Sequence, residues 1–284
     1  MADLISGSPP TQTIDVREQP HEDALQHVER AFGTGLVRST AAYGVYGATE
    51  GFRTERGTWV RIERRERWWI NSAGWGGLEA ASTLQGVRKP QWHQSVTWTD
   101  KARDVVWRAD ELELVSSPSV EVAGGFAAAT ALPDSWWADL RGSLAALAGN
   151  ATDRVGMSQA HLSKRITQVF DKPIDTTVDE WTTAHTDLHW NNVTTDGYLL
   201  DWEDWGAAPR GLDAATLWQA SLPNPKLAER VQREFAADLQ TRSGRLAQLL
   251  QCANAIRIAA RTGASTPLSE AANAAAKRIL AELG

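Results

Sequence analysis

The sequence predicts an α+β chain built as two unequal lobes. Three observations predict it. Short runs of valine, isoleucine, threonine and aromatic residues, broken by glycine or charge, crowd residues 36–116 and read as strands. A single helical candidate interrupts them, around residues 77–86. Beyond about residue 130 the apolar residues recur at helical spacing instead. The expected division is a polar, poorly ordered start over 1–20, a β-rich lobe over 21–116 and a mostly helical lobe over 117–284.

The elements follow in order. Residues 1–20 are polar and hold a Pro-Pro pair. "PHEDALQHVERAFG" reads as a short helix, with acids in its first turn and Gly33 as its stop. "LVRSTAAYGVYGA", "GFRTERG", "TWVRIERR", "SVTWTD" and "DVVWRADELELV" read as strands, and "GGLEAASTLQG" as the interrupting helix. "DSWWADLRGSLAALAG" places Trp136, Leu140, Leu144 and Leu147 on one stripe, between Asp134 as N-cap and Gly149 as stop. "SQAHLSKRITQVF" is a further helix. "NPKLAERVQREFAADL" has Asn224 as cap, Pro225 at the first helical position, and Leu227, Val231, Phe235 and Leu239 four apart. "GRLAQLLQCANAIRIAA" and "TPLSEAANAAAKRILAEL" complete the helical part.

Composition excludes several function classes. The 284 residues are 42% apolar, enough for a substantial core. A net charge of −6 without a basic run argues against nucleic acid, which needs an electropositive face. No apolar run approaches the roughly 18 residues of a membrane span. The one cysteine, Cys252, excludes an internal disulfide. With no secretory pattern in "MADLISGSPPTQT", it points to a cytoplasmic protein. Fourteen tryptophans stand out, and such large rings serve first as core filling.

Chemistry concentrates in "AHTDLHWNNV", residues 184–193, and in "LLDWEDWG" shortly after it. Asp196-Gly197 between them is a two-residue hairpin signal. With that turn, Val193 faces Leu200 and Asn192 faces Asp201, on one side of the ribbon and about 4.5–5.5 Å apart at Cβ. An amide oxygen and a carboxylate so placed suit Mg2+. Asp187, five residues before Asn192, is then a carboxylate beside a metal site, ready to take a proton from a hydroxyl. An ordinary surface hairpin with polar ends is the plainer reading of the same residues.

"HTDLHWNN" fits H-x-D-L-x-x-x-N through His185, Asp187, Leu188 and Asn192, and a further aspartate follows the hairpin. This is the catalytic-loop and metal-loop arrangement of protein-kinase-like phosphotransferases. The text "HTDLHWNNV…LLDWEDWGAAPRGLDAATLW" resembles the aminoglycoside phosphotransferase family and the related choline and sugar kinases. The resemblance implies a bilobal protein-kinase-like fold, ATP and Mg2+ as cofactors, and a small hydroxylated acceptor. It makes Asp187 the catalytic base and Asn192 and Asp201 the metal ligands. It makes His185 a brace of the catalytic loop and Asp213 a holder of that loop's backbone. His189 either contacts phosphate or substrate or packs. Glu203 aids a second metal, binds a cationic acceptor, or is a solvated acid. Glu203 and Asp204 beside Trp202 and Trp205 hint at a cationic or sugar-like acceptor.

The first lobe departs from the family's pattern. Gly44, Gly47 and Gly51 are placed to cover nucleotide phosphates, or simply form a hairpin turn. The family's strand lysine is missing, since no lysine precedes Lys89. By strand position Arg61 is the substitute, with Glu79 as its helix partner; a surface ion pair is the plainer reading. The hinge that holds adenine falls within 105–122. Two other functions compete with a small-molecule kinase: a catalytically weak binding protein on the same scaffold, and a metal-dependent phosphohydrolase using His185, Asp187 and His189.

Overall fold

A computed structural model describes residues 15–44, 47–67, 70 and 73–283. The expectation of poor order over 1–20 therefore falls mostly outside the described residues. The chain divides into two compact units. The first holds the chain up to Thr83 and Pro90–Ser116; the second holds Leu84–Lys89 and the chain from Ser117 on.

In the first unit α1 (Glu22–Phe32) carries Glu22 and Asp23 in its first turn and ends at Gly33 in the left-handed region. Its buried stripe of Leu25, Val28 and Phe32 covers one face of a five-stranded antiparallel sheet. The strands are β1 (Ala42–Tyr43), β2 (Thr49–Arg53), β3 (Thr58–Glu66), β4 (Trp92–Asp100) and β5 (Val105–Glu113), in the order β1-β2-β3-β5-β4. Phe52, Val60, Ile62, Val105, Trp107 and Ala109 supply that face. Side chains alternate along a strand, so Arg61, Glu63 and Arg65 of β3 project from the other face with Arg108 and Asp110 of β5.

Two expectations need correction here. "LVRSTAAYGVYGA" yields only the two residues of β1, after a short 3-10 turn over Arg38–Thr40. The Thr40 hydroxyl donates to the Val37 carbonyl, a local bond that competes with sheet pairing. Val45 and Tyr46 of that stretch lie outside the described residues. The interrupting helix, α2 (Gly77–Ala81), is five residues long, because the Thr83 hydroxyl turns back to Ala80 and the chain from Leu84 belongs to the second unit.

The second unit is mainly helical: α3 (Phe126–Ala131), α4 (Asp134–Ala148), α5 (Gln159–Thr167), α6 (Leu212–Ser221), α7 (Pro225–Glu234), α8 (Ala236–Leu239), α9 (Arg242–Thr262) and α10 (Pro267–Leu283). Helix α9 runs through its core, burying Leu246, Leu249, Leu250 and Cys252 between α6 and α10. Each fully buried leucine contributes about 1.5–3 kcal/mol. Helix α4 buries Trp136, Trp137, Leu140 and Leu147. Pro133, not Asp134, occupies its N-cap, and the Asp134 carboxylate accepts from Arg230 instead (2.6 Å). Asn224 caps α7 through Leu227 N–H (3.2 Å), with Pro225 in the first turn. That helix breaks at Phe235 instead of running on to Leu239.

Strands β6 (Trp181–Ala184) and β7 (Gly206–Pro209) form a small antiparallel ladder that pairs Ala184 with Gly206. The pairing brings the start of "HTDLHWNN" beside the end of "DWEDWG". No helix among the described residues is long and apolar enough to cross a membrane.

Candidate active site

The chain leaves β6 directly into His185, which is wholly buried. Its Nε2 lies 2.6 Å from the Leu200 carbonyl, to which it donates, and its ring meets Trp202 edge-on. The buried Nδ1 has no hydrogen-bond partner among the described residues. Asp213, in the first turn of α6, accepts from the backbone N–H of both His185 and Thr186, each at 2.8 Å. Burial pushes the Asp213 carboxyl upward, against the pull of the charge and backbone donors it faces. These two bonds hold Thr186 at φ +71, a conformation a β-branched residue adopts only under such constraint. The Thr186 hydroxyl also donates to the Asp204 carbonyl (3.1 Å).

The reversal at Thr186 presents Asp187 to solvent, its side chain 56% exposed. Alternation then buries Leu188 and Trp190, and the Trp190 indole donates to Ser221 (3.1 Å). Anchored by those two, the turn closes on itself. Asn192 Nδ2 donates to the Asp187 carbonyl (2.9 Å) and reaches its carboxylate (3.4 Å). His189 Nε2 stands 3.6 Å from the same carboxylate oxygen and 3.4 Å from Asn192 Nδ2. Crowding raises the Asp187 carboxyl, but the hydrogen bond and charge of His189 outweigh it and hold the group below the ordinary carboxylate value. The partnership with Asp187 raises His189, and the charges of Asp201 and Glu121 add to it.

The hairpin register differs from the expected one. Thr194 N–H donates to Tyr198 O (3.0 Å), Val193 bridges Leu199, and Leu200 N–H donates to Asn192 O (2.9 Å). Asn192 therefore opposes Leu200, one position short of Asp201. The loop is three residues long, Thr195 to Gly197, with only Gly197 left-handed (φ +88). A two-residue turn would force Asp196 left-handed as well. Thr194 instead bonds both Asp196 (2.5 Å) and Tyr198 N–H (2.8 Å) through its hydroxyl, which favours the longer loop. Asp201 lies beyond the paired residues, exposed and itself left-handed at φ +63. It approaches the cluster closely enough for its charge to act on His189.

Trp202 and Trp205 are 2% and 3% exposed. The Trp202 indole donates to Leu199 O (2.8 Å), and the Trp205 ring carries the Arg154 guanidinium 4.9 Å from its centroid. Packing uses both rings, which corrects the expectation that they offer a face to an acceptor. Glu203 and Asp204 are half-buried.

In the first unit Gly44 and Gly47 shape the β1–β2 turn: Gly44 N–H donates to Thr49 O (2.9 Å) and Gly47 N–H to Gly44 O (3.0 Å). Gly47 is left-handed (φ +67). The Asp15 carboxyl fills the space a side chain there would need. Arg61 pairs with Glu63 (3.1 Å), and Arg65 also bonds Glu63. Glu79 pairs with Arg108 (2.9 Å), which also forks onto Asp110 (2.7 Å to each oxygen). The expected Arg61–Glu79 pair is thus replaced. In the register, Arg61 faces Asp110 and Arg108 faces Glu63, so the cation nearer α2 comes from β5.

No family model and no curated protein matches the sequence. Solved structures do. The chain is similar to the aminoglycoside phosphotransferase APH(4)-Ia, with a TM-score of 0.61 at 10% identity over 93% of this chain and 99% of that one. A thermostable mutant of that protein, in ternary complex with ADP and hygromycin B, gives 0.59 at 11% identity, over 91% and 98%. Amicoumacin kinase hAmiN, in complex with AMP-PNP, Ca2+ and Ami, gives 0.55 at 12% identity, over 93% and 96%.

The chain has the aminoglycoside phosphotransferase fold.

In a chain of this fold, the second unit gathers Asp187, His189 and Asn192 within hydrogen-bond or ion-pair reach, with Asp201 in electrostatic range. It separates His185 from them, with Nε2 committed to Leu200. Among the described residues no group of three or more histidine, cysteine, aspartate or glutamate side chains could hold a metal ion. The phosphohydrolase ligand set is therefore not assembled. Oxygen donors suit Mg2+ better: Asn192 Oδ1 has no hydrogen-bond partner among the described residues, and Asp201 adds an exposed carboxylate. Sequence reasoning missed Arg154 and Glu121. Neither sits in a motif, and each reaches the site only through tertiary contacts.

Proposed function

We propose that this protein is a small-molecule kinase, moving the γ-phosphate of ATP to a hydroxyl of an amino sugar, aminoglycoside, sugar or choline-like alcohol. The observation that carries the reading is the convergence of Asp187, His189 and Asn192 at the end of β6. The similar structures bound to ADP or AMP-PNP and a small acceptor support it. Asp187 accepts the acceptor's proton as its oxygen attacks the γ-phosphorus and the bond to the β-phosphate breaks. His189 keeps Asp187 ionised, and the Asn192 amide holds the loop on which Asp187 sits. Asn192 and Asp201 are the residues that would hold Mg2+, which would supply neutralisation of phosphate charge. Glu203 binds a cationic acceptor, and Glu121 adds to the negative charge that acts on His189.

Mg·ATP turnover across a panel of hydroxylated metabolites tests this. Asp187→Asn should lower kcat by about 10²–10⁴, the usual contribution of a general base. Full activity in Asp187→Asn removes Asp187 from its role, and no turnover by the wild-type chain on any acceptor sinks the whole reading. One observation favours a catalytically weak binding protein instead: Glu63 holds Arg61 and Arg108 holds Glu79. Stabilisation by Mg·ATP without turnover is the outcome that reading requires.

A further inference from the structure

We propose that Arg154, in the coil between α4 and α5, is a positioning residue for the loop that carries Asp201, and that its short strap locks this loop to the one carrying Asp187. The inference rests on the phosphotransfer reading above.

Arg154 Nε donates to Trp205 O (3.0 Å) and Nη2 to Glu203 O (2.7 Å). The guanidinium also lies over the Trp205 ring. Two of the first four carbonyls after Asp201 therefore converge on one side chain. The strap's backbone grips the same loop further on. Arg154 O accepts from Ala207 N–H (2.7 Å), and Gly156 and Met157 N–H donate to Ala207 O (3.0 and 2.9 Å).

The strap touches the other loop as well. A Cβ at Gly156 would stand 2.5 Å from Thr186 Cγ2, 3.0 Å from Gly206 N and 3.2 Å from Asp204 O. Thr186 is the residue whose left-handed backbone aims Asp187. One strap is thus the shared neighbour of base loop and metal loop, and fixes their separation. Arginine is suited to this work. Its planar fork can donate in two directions while its face stacks on indole, and a charged donor makes stronger bonds to carbonyls than a neutral one. Lysine can charge the site but cannot hold both carbonyls and the ring together.

The test uses the full chain with Arg154→Ala, Arg154→Lys and Gly156→Ala. Three quantities are measured: Mn2+ affinity in the presence of AMP-PNP by electron paramagnetic resonance, Mg·ATP kinetics, and the thermal midpoint. Arg154→Ala should weaken Mn2+ binding and lower kcat by about ten- to hundredfold, as loss of outer-sphere support does. The KM of the acceptor should stay unchanged. Arg154→Lys should fall between it and wild type, and it carries the comparison if the alanine variant does not fold. Gly156→Ala should lower kcat through Thr186.

Unchanged Mn2+ affinity and kcat in a folded Arg154 variant, with an active wild type, overturns the positioning role alone. So does a loss confined to the thermal midpoint. A wild type that binds Mn2+ without turnover overturns phosphotransfer, while weaker Mn2+ binding in the variants still upholds the positioning. A wild type that does neither overturns both.

Discussion

The polar residues at the end of β6 and those on the open face of the first sheet are held in different ways. In the second unit the anchors bond backbone. Asp213 takes two N–H groups, His185 takes the Leu200 carbonyl, and Arg154 takes two carbonyls. In the first unit side chains bond one another: Arg61 and Arg65 share Glu63, while Arg108 divides itself between Asp110 and Glu79. A bond to backbone fixes the course of the main chain, and with it the carboxylates of Asp187 and Asp201. A side-chain pair fixes only two flexible groups and can be exchanged for another; Glu79 takes its cation from β5, not β3. The difference teaches which contacts set the main chain and which set only side chains.

The largest effect should come from Asp213→Ala. Each buried N–H left without an acceptor costs about 1–3 kcal/mol, and here there are two. Urea unfolding should show the loss, and turnover should fall with it as Thr186 relaxes. A variant of wild-type stability would break the comparison at its strongest point. Next is Gly206→Ala. Its Cβ would meet backbone, Gly156 N at 2.5 Å and Arg154 O at 2.7 Å, and neither can swing aside. A cost of about 1–3 kcal/mol is expected from such overpacking, read again by urea unfolding.

Glu79→Gln sharpens the contrast from the other side. Glu79 is 51% exposed and Asp110 keeps its fork on Arg108, so the change should cost about 0–1 kcal/mol. An unchanged KM for ATP in that variant would show that the Glu79–Arg108 pair does not serve the nucleotide.

The smallest effect is a pH dependence. His21 lies 2.5 Å from Glu50, and that hydrogen bond raises its pKa above the ordinary histidine value against the effect of burial. A raised folded-state value means the pair contributes fully below about pH 6.5, and its contribution disappears as pH climbs through the higher folded value. The difference in thermal midpoint between wild type and His21→Asn should therefore shrink from pH 6 towards pH 9. A constant difference would mean that His21 contributes by packing on Trp107 rather than by charge.

By itself the sequence determined the β-then-α order, the helix stops at Gly33 and the cap at Asn224, and the spacing that seats Asp187 and Asn192 in one turn. Each of these is written in residues a few positions apart, where periodicity, capping and turn chemistry act. It left the hairpin one register off, because a two-residue and a three-residue turn both accept Asp-Gly, and a hydroxyl at Thr194 tips the balance. Only the tertiary structure decided that Glu79 meets Arg108, that Trp202 and Trp205 face inward, and that Arg154 reaches carbonyls 49 and 51 positions away. Partners so far apart are chosen by how the elements pack, and no local pattern of residues encodes that choice.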